Sequence, residues 1–171
     1  MTTRAISPVI ATVIIVSVAI AIAVAVAFWM TGITGLFTRY EKLEIVTAYA
    51  LVSASDGTDY FYVILNVRNT GTTSTTIDNI FINGIPLGSL NAVDNNVKVA
   101  ARSAAITDPT ATELSYNTTI SYSIDSGEEL WISINLGAVN NNPNGFTHGQ
   151  IVEVKLHTAA GNEYPKSVQL P

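Results

Sequence analysis

The chain has 171 residues, 12% of them charged, and a formal net charge of −5, which suits one globular domain with an appendage. The eight Lys and Arg residues are scattered, which argues against a nucleic-acid partner because phosphate binding needs clustered basic side chains. The chain has no cysteine, so disulfides and thiolate metal sites are excluded and stability has to come from packing and association.

The first predicted element is a long apolar helix. No ionisable side chain occurs from Ala5 to Thr38, a run of 34 residues. Residues 19–27 alternate, but both sets are apolar, so the pattern favours a helix that is hydrophobic on every side over a half-buried strand. Such a run would extend about 51 Å as a helix, whereas a bilayer core needs only about 20 residues. Apolar spacing continues to Val46, so the helix is predicted over 6–48.

Small residues recur along this helix at helical spacing. Ala11, Ala19, Ala23 and Ala27 allow helix backbones to approach closely, which is typical of a helix that packs against copies of itself. Two other interpretations are a single-span membrane anchor and a cleaved secretory signal, since residues 25–27 read Ala-Val-Ala. The apolar run is longer than the roughly 7 to 15 residues of such a signal.

The N-terminus resembles that of archaeal type IV pilins. The resemblance rests on RAISPVIAT at 4–12, followed by the long run of Val, Ile and Ala. It implies that a prepilin peptidase recognises the basic Arg4 and cuts between Ala5 and Ile6. The leader would then be residues 1–5, and the apolar helix would be retained.

The same resemblance implies that the retained helix forms the core of a helical filament of identical subunits. An assembly ATPase and a membrane platform protein are implied as partners, and the subunit would wait in the cell membrane before assembly. Ile10 stands where mature bacterial pilins have a carboxylate, five residues into the chain. An N-terminal salt bridge of that carboxylate therefore cannot set the register between subunits. The residues expected in the polymerisation core are Ile6, Pro8, Val9, Ile10, Val13, Ile14, Ala19, Ala23, Val26, Ala27, Phe28 and Trp29.

The distribution of charge orients the chain in a membrane. Arg4 lies at the short end of the apolar run, and the acidic remainder follows Arg39. The positive-inside rule therefore places the start in the cytoplasm and the larger body outside.

The remainder, 49–171, is predicted to form an antiparallel immunoglobulin-like β-sandwich, so the expected fold class is α+β. Alternation in DYFYVILNVR, 59–68, is typical of a strand, and NG at 83–84 signals a type I′ turn between strands. The stretch VRNTGTTSTTIDNIFING, 67–84, is similar to the immunoglobulin-like heads of archaeal pilins and archaellins. Further strands are predicted over 77–82, 97–101, 114–124, 130–136, 151–157 and 167–170.

The sequence offers no arrangement of acids, bases and nucleophiles typical of a catalytic site, so no catalytic residue, no metal site and no cofactor are predicted. His148 and His157 are interpreted as separate solvated side chains, and Asp56 and Asp59 as part of a surface turn rather than a calcium loop. Asn117 begins the only N-x-[ST] sequon, on the polar face of the predicted strand 114–124, and is the candidate glycosylation site.

These features predict a structural subunit of an extracellular type IV pilus-like filament on the cell surface, used for adhesion to surfaces or cells. The alternative is a monomeric membrane-anchored β-sandwich that binds a ligand. A secreted enzyme or a lipoprotein-like binding domain is a third interpretation, but the chain lacks a lipobox cysteine. The first two interpretations make different demands on the apolar helix. A membrane tether tolerates charged residues beyond the bilayer, whereas a filament core does not.

Overall fold

The computed structural model describes residues 7–37 and 39–171, and the chain divides into two compact units between Arg39 and Tyr40. The first unit contains the helix α1 (Pro8–Phe37). The second unit, Tyr40–Pro171, is called the head below and is built from antiparallel β-sheets. An apolar N-terminal helix followed by antiparallel sheets makes the chain α+β, as predicted.

Helix α1 contains 30 residues and begins at Pro8, where the missing N–H of proline is not needed. It passes through Gly32 and Gly35 without interruption and ends at Phe37. The predicted continuation to residue 48 was wrong, because the chain from Leu43 onward forms a strand.

Strand β1 (Leu43–Ser55) was not predicted from the sequence, and a β-bulge explains why. The register against the next strand shifts between Ile45 and Thr47, which places Val46 in the bulge. One extra residue moves the side chains that follow to the opposite face. The residues of β1 that face the core are Leu43, Ile45, Ala48, Ala50 and Val52. These positions change from odd to even residue numbers at the bulge, so the sequence shows no regular alternation along the strand.

Two antiparallel sheets build the head. The first has the strand order β1-β2-β7-β5, and the second has the order β4-β3-β8-β9, with β6 also paired to β3. A short helix, α2 (Leu87–Val93), follows β4. The remaining strands are β2 (Thr58–Asn69), β3 (Thr75–Ile82), β4 (Ile85–Pro86), β5 (Lys98–Arg102), β6 (Tyr122–Ile124), β7 (Glu129–Ala138), β8 (Ile151–Thr158) and β9 (Glu163–Gln169).

Two hairpins are closed by two-residue turns. Asn83 and Gly84 have φ angles of 51° and 80° and connect β3 to β4, which confirms the predicted type I′ signal. Asp56 and Gly57 have φ angles of 52° and 77° and connect β1 to β2. The stretch considered for calcium is therefore a hairpin turn.

The main hydrophobic core lies between the two sheets. The predicted inward face of β2, with Phe61, Val63, Leu65 and Val67, is fully buried there. The second sheet contributes its own inward residues: Ile77, Ile80, Ile82, Val152, Val154 and Leu156. Alternation of apolar side chains in β2 thus gave the correct core positions.

The predicted strand over 114–124 was wrong except for its end, because β6 contains only Tyr122–Ile124. Residues 103–121 are irregular, and the part over 104–117, called the cover segment below, packs on the outer face of the first sheet, whereas Ile120 packs against the main core. Leu114 and Ile124 were expected to share a face, but Leu114 belongs to a second small cluster and Ile124 to the main core. Strand β9 also begins at Glu163, ahead of the predicted 167–170.

Substituting Gly71 is expected to destabilise the head by about 1–3 kcal/mol, because an added methyl group would overlap backbone atoms. A Cβ there would lie 2.7 Å from the backbone nitrogen of Lys42 and 2.7 Å from the carbonyl oxygen of Tyr40. Urea unfolding of Gly71→Ala in detergent micelles, followed by near-ultraviolet circular dichroism, measures the loss.

Gly88→Ala is the matched control. A Cβ at Gly88 meets nothing within 4 Å and lies in helix α2, so alanine should stabilise the head by up to about 1 kcal/mol. Equal effects of the two substitutions would contradict the close backbone approach at Gly71.

Candidate assembly helix and head cleft

The surface of α1 is apolar on all sides and exposed in the isolated chain. No residue of α1 carries an ionisable side chain. Phe28 and Trp29 leave 76% and 68% of their surface exposed. Two adjacent large apolar side chains exposed to this extent indicate a surface that an apolar partner covers. The predicted core residues from Pro8 to Trp29 all lie exposed on this helix; Arg4, Ala5 and Ile6, predicted for processing, lie outside the described residues.

The polar side chains of α1 satisfy their own hydrogen bonds. Thr12 donates to the carbonyl of Val9 at 2.9 Å, and Ser17 donates to the carbonyl of Val13 at 2.7 Å. Thr31 and Thr34 likewise donate to carbonyls four residues earlier, at 2.8 and 2.6 Å. Because a hydroxyl that is bonded within its own helix loses little on transfer out of water, these four residues are compatible with an apolar environment.

The length of α1 exceeds what a bilayer requires. Its 30 residues extend about 45 Å at 1.5 Å per residue, compared with roughly 30 Å of hydrocarbon. By length and composition, Pro8–Gly35 is sufficient to span a membrane. The helix is therefore compatible with a membrane anchor or a signal sequence, and it is about 15 Å longer than the hydrocarbon thickness.

The head residues that the sequence offered as candidate ligands contact separate partners. The ring of His148 hydrogen-bonds the carbonyl of Pro171, and Nδ1 of His157 lies 2.6 Å from a carboxylate oxygen of Asp78. Within 7–37 and 39–171, no three His, Cys, Asp or Glu side chains come together as a metal site would require. These residues have structural contacts that explain their positions.

Asn117 is exposed, but it does not lie on a regular strand as predicted. Its backbone N–H and carbonyl pair with Val99 at 2.8 and 2.9 Å, as an isolated bridge. The side-chain amide makes one long contact, 3.4 Å to the carbonyl of Ser115. The cover segment thus holds the backbone of Asn117 at the edge of β5 and leaves its side chain accessible.

The outer face of the first sheet is divided between a covered part and an open part. Ile64 and Ala100 are buried beneath Ile106 and Leu114 of the cover segment. Arg102 holds this segment through its guanidinium, which donates to the carbonyls of residues 104 and 105 and forms an ion pair of 3.3 Å with Glu113. Tyr49 adds a hydrogen bond of 3.2 Å to the carbonyl of Ile106.

A cleft of about 270 Å³ opens where this covering ends. Its floor is one row of side chains across three strands, because Tyr62 pairs with Asn135 and Asn135 pairs with Lys98. Its remaining lining residues are Ser55, Asn96, Pro109, Thr110, Ala111, Thr112, Leu114 and Tyr116. The sequence placed Tyr62 on the outer face of its strand, but nothing in the sequence indicated that residues 109–116 return to border it.

The two tyrosines of the cleft stay protonated. Burial raises the pKa of Tyr62, and neighbouring Tyr60 and Asp108 add to the increase. Burial also raises the pKa of Tyr116 strongly, against the opposing effect of its hydrogen bond with Ser133. Hydrogen bonds from the hydroxyl and backbone N–H of Thr110 lower the pKa of Asp108. The cleft therefore presents neutral phenols beside a carboxylate that is already hydrogen-bonded.

Comparison with known proteins gives no family assignment. No protein-family model matches the chain, and no curated protein matches it. Among solved structures, a novel β-glucosidase from Erythrobacter marinus aligns with 77% of this chain and 16% of its own, at 12% identity and a TM-score of 0.31. A TM-score this low supports neither a shared fold nor a shared activity.

Proposed function

We propose that this protein is the structural subunit of an extracellular type IV pilus-like filament, with α1 as the polymerising element. The observation that carries the proposal is a 30-residue helix without a charge, whose side chains over 8–35 are exposed except for half-buried Ala11 and Ile33 and whose hydroxyls are all bonded within the helix. A bilayer accounts for about 20 of those residues. Neighbouring copies of the same helix would cover the whole length, including the turns that extend past the hydrocarbon.

The stripe formed by Ala19, Ala23 and Ala27 supports packing against copies of the same helix. Three alanines spaced four residues apart lie on one face of α1 and permit close approach of a second backbone. In lipid, apolar burial gives no net gain, so packing differences and an assembly machine would have to move the subunit into the filament. The proposed partners are a prepilin peptidase, an assembly ATPase and a membrane platform protein.

The proposed chain of events begins with the subunit inserted in the cell membrane and its head outside. The peptidase would act at Arg4, Ala5 and Ile6 before assembly. In the filament, the heads would form the outer layer and carry adhesion to surfaces or cells. We further propose that the head is an immunoglobulin-like sandwich, which is supported by its two antiparallel sheets and their shared core.

The alternative function is a membrane-anchored binding module that remains monomeric. Negative-stain microscopy of material sheared from the cell surface, together with mass analysis of the N-terminus, separates the two proposals. Filaments whose subunits begin at Ile6 support the pilin-like function. Chains found only as detergent-extracted single copies would instead support the anchored module.

A glycan on Asn117 is the expected modification if the head is outside the cell. Intact mass measurement of the native chain should show an added glycan mass that disappears in both Asn117→Gln and Thr119→Ala, because the transferase requires the hydroxyl two residues after the asparagine.

Thr118→Ala is the matched control for this modification, since the middle position of the sequon accepts alanine. It removes a neighbouring exposed hydroxyl and should leave the added mass unchanged. An unmodified native chain, or an added mass that survives Asn117→Gln, would show that this site is not used.

A further inference from the structure

The cleft between the cover segment and the row Tyr62, Asn135 and Lys98 has the features of a ligand site. Its volume of about 270 Å³ is slightly smaller than the roughly 300–1,000 Å³ usual for ligand pockets. A compact ligand of one or two rings would fill it. The floor consists of side chains fixed by strand pairing, and the irregular cover segment forms one wall.

Several polar groups in the cleft keep unused hydrogen-bonding capacity. Asn135 donates to the hydroxyl oxygen of Tyr62 at 3.4 Å, which leaves the phenolic proton available. The amide nitrogen of Asn96 donates to Asp94, and its side-chain oxygen has no donor among the described residues. The hydroxyls of Ser55 and Thr112 likewise have no partner in the part of the chain that the structure describes.

Lys98 gives the cleft its charge. It is the only charged side chain in the lining, and across 7–37 and 39–171 its ammonium group forms no ion pair. The nearby carboxylate of Asp108 does not line the cleft and accepts two hydrogen bonds from Thr110, at 2.8 and 2.6 Å. An anionic group on a ligand would therefore meet an unpaired cation at one edge of the cleft.

The half-buried ring of Tyr116 provides apolar surface in the cleft, whereas Tyr62 is buried, with 3% of its surface exposed. Tyr62 and Tyr116 lie with their ring centroids 6.1 Å apart and their planes at 53°. A site with tyrosine rings, hydroxyls and amides in one small cleft matches a ligand that has apolar C–H faces and a rim of hydroxyl groups. That combination is the chemistry of a saccharide ring.

We infer that this cleft binds an acidic saccharide, with the sugar ring against the exposed part of Tyr116 and its carboxylate at Lys98. The inference deepens the adhesive part of the proposed function and rests on it, because a head outside the cell would meet such sugars. Binding by the cleft does not require polymerisation, so the two proposals can fail separately.

The test is a titration of the full chain, labelled with ¹⁵N, in a zwitterionic detergent that has no sugar headgroup. Methyl β-D-glucopyranosiduronic acid and methyl β-D-glucopyranoside are compared, since they differ only in the carboxylate. Amide shifts should concentrate at 96–98, 110–112 and 135. The uronic acid should bind about two- to fivefold more tightly, the range that a solvent-exposed ion pair contributes.

Three variants make the test specific. Lys98→Gln should remove the preference for the uronic acid and keep the weaker binding of the neutral glucoside. Lys166→Gln removes the same charge on β9 of the other sheet and should change neither affinity. Thr112→Trp fills the cleft from an exposed position and should weaken both ligands at least tenfold without changing the unfolding midpoint.

Shifts spread over the whole head, or a preference for the uronic acid that survives Lys98→Gln, would overturn the inference. Filaments that form normally from a chain that binds neither sugar would leave the filament proposal intact and remove this one. Sugar binding by chains that never form filaments would support the cleft and favour the anchored module.

Discussion

Ala23→Glu is expected to abolish filament formation while the head stays folded. Ala23 lies on the alanine stripe near the middle of α1, where a carboxylate would have neither water nor a counter-ion on its own helix. Placing an acidic side chain at the centre of a membrane-spanning helix costs at least about 2.5 kcal/mol, which corresponds to roughly a hundredfold loss of inserted subunits, and the apolar core of a filament would offer the carboxylate no partner either. Microscopy measures filaments, and near-ultraviolet circular dichroism of the full chain in detergent measures the head.

Two further substitutions distinguish a filament core from a membrane tether. Ala23→Val keeps the helix apolar and is the control for a change of size, so it should retain filaments better than the glutamate variant. Thr34→Lys places a charge in the turns that exceed the bilayer thickness. A tether accepts that lysine at the interface, whereas the filament core should not, and normal filaments from either charged variant would contradict the core assignment.

Asn69→Ala is expected to destabilise the head by about 3 to 5 kcal/mol, because three hydrogen bonds are lost at a buried position. Asn69 is completely buried at the end of β2. Its amide nitrogen donates to the carbonyls of Thr73 and Ile124 at 2.8 and 2.9 Å, and its side-chain oxygen accepts from Gly71 at 2.9 Å. Alanine would remove the donor from the buried carbonyl of Ile124 and the half-buried carbonyl of Thr73, and would leave the N–H of Gly71 only its 3.1 Å hydrogen bond to the carbonyl of Lys42.

Chemical unfolding of the full chain in detergent measures this loss. Asn117→Ala is the matched control, because Asn117 is exposed and its side chain makes only a 3.4 Å contact, so the free energy of unfolding should change by less than about 0.5 kcal/mol. A loss at Asn69 as small as that at Asn117 would mean that solvent replaces its three hydrogen bonds.

Residues close to one another in the chain were predicted well. The run of uncharged residues predicted a helix that passes through Gly32 and Gly35, because a glycine costs only about 1 kcal/mol in a helix of this length. Alternation predicted β2 and its inward face, and NG at 83–84 predicted a turn whose φ angles are positive at both residues. Each of these follows from local side-chain chemistry.

The errors arose where a contact distant in sequence decides the conformation. Residues 114–124 alternate like a strand, but Leu114 finds its apolar partners on the outer face of the first sheet, so the segment folds over that face. Strand β1 pairs along its length with β2, and the bulge at Val46 removes the regular pattern that would have revealed it. Neither the packing of the cover segment nor the β-bulge produces a recognisable pattern in the neighbouring sequence.

The amino-acid sequence by itself determined that an uncharged helix precedes a β-rich body, because hydrophobic periodicity and turn propensities act between neighbouring residues. Only the tertiary structure decided where the helix stops, that residues 104–117 cover one sheet face, and that Tyr62, Asn135 and Lys98 meet at the edge of that cover. The reason is physical: strand pairing and the burial of a sheet face join residues far apart in the chain, and their gain in free energy outweighs local preference.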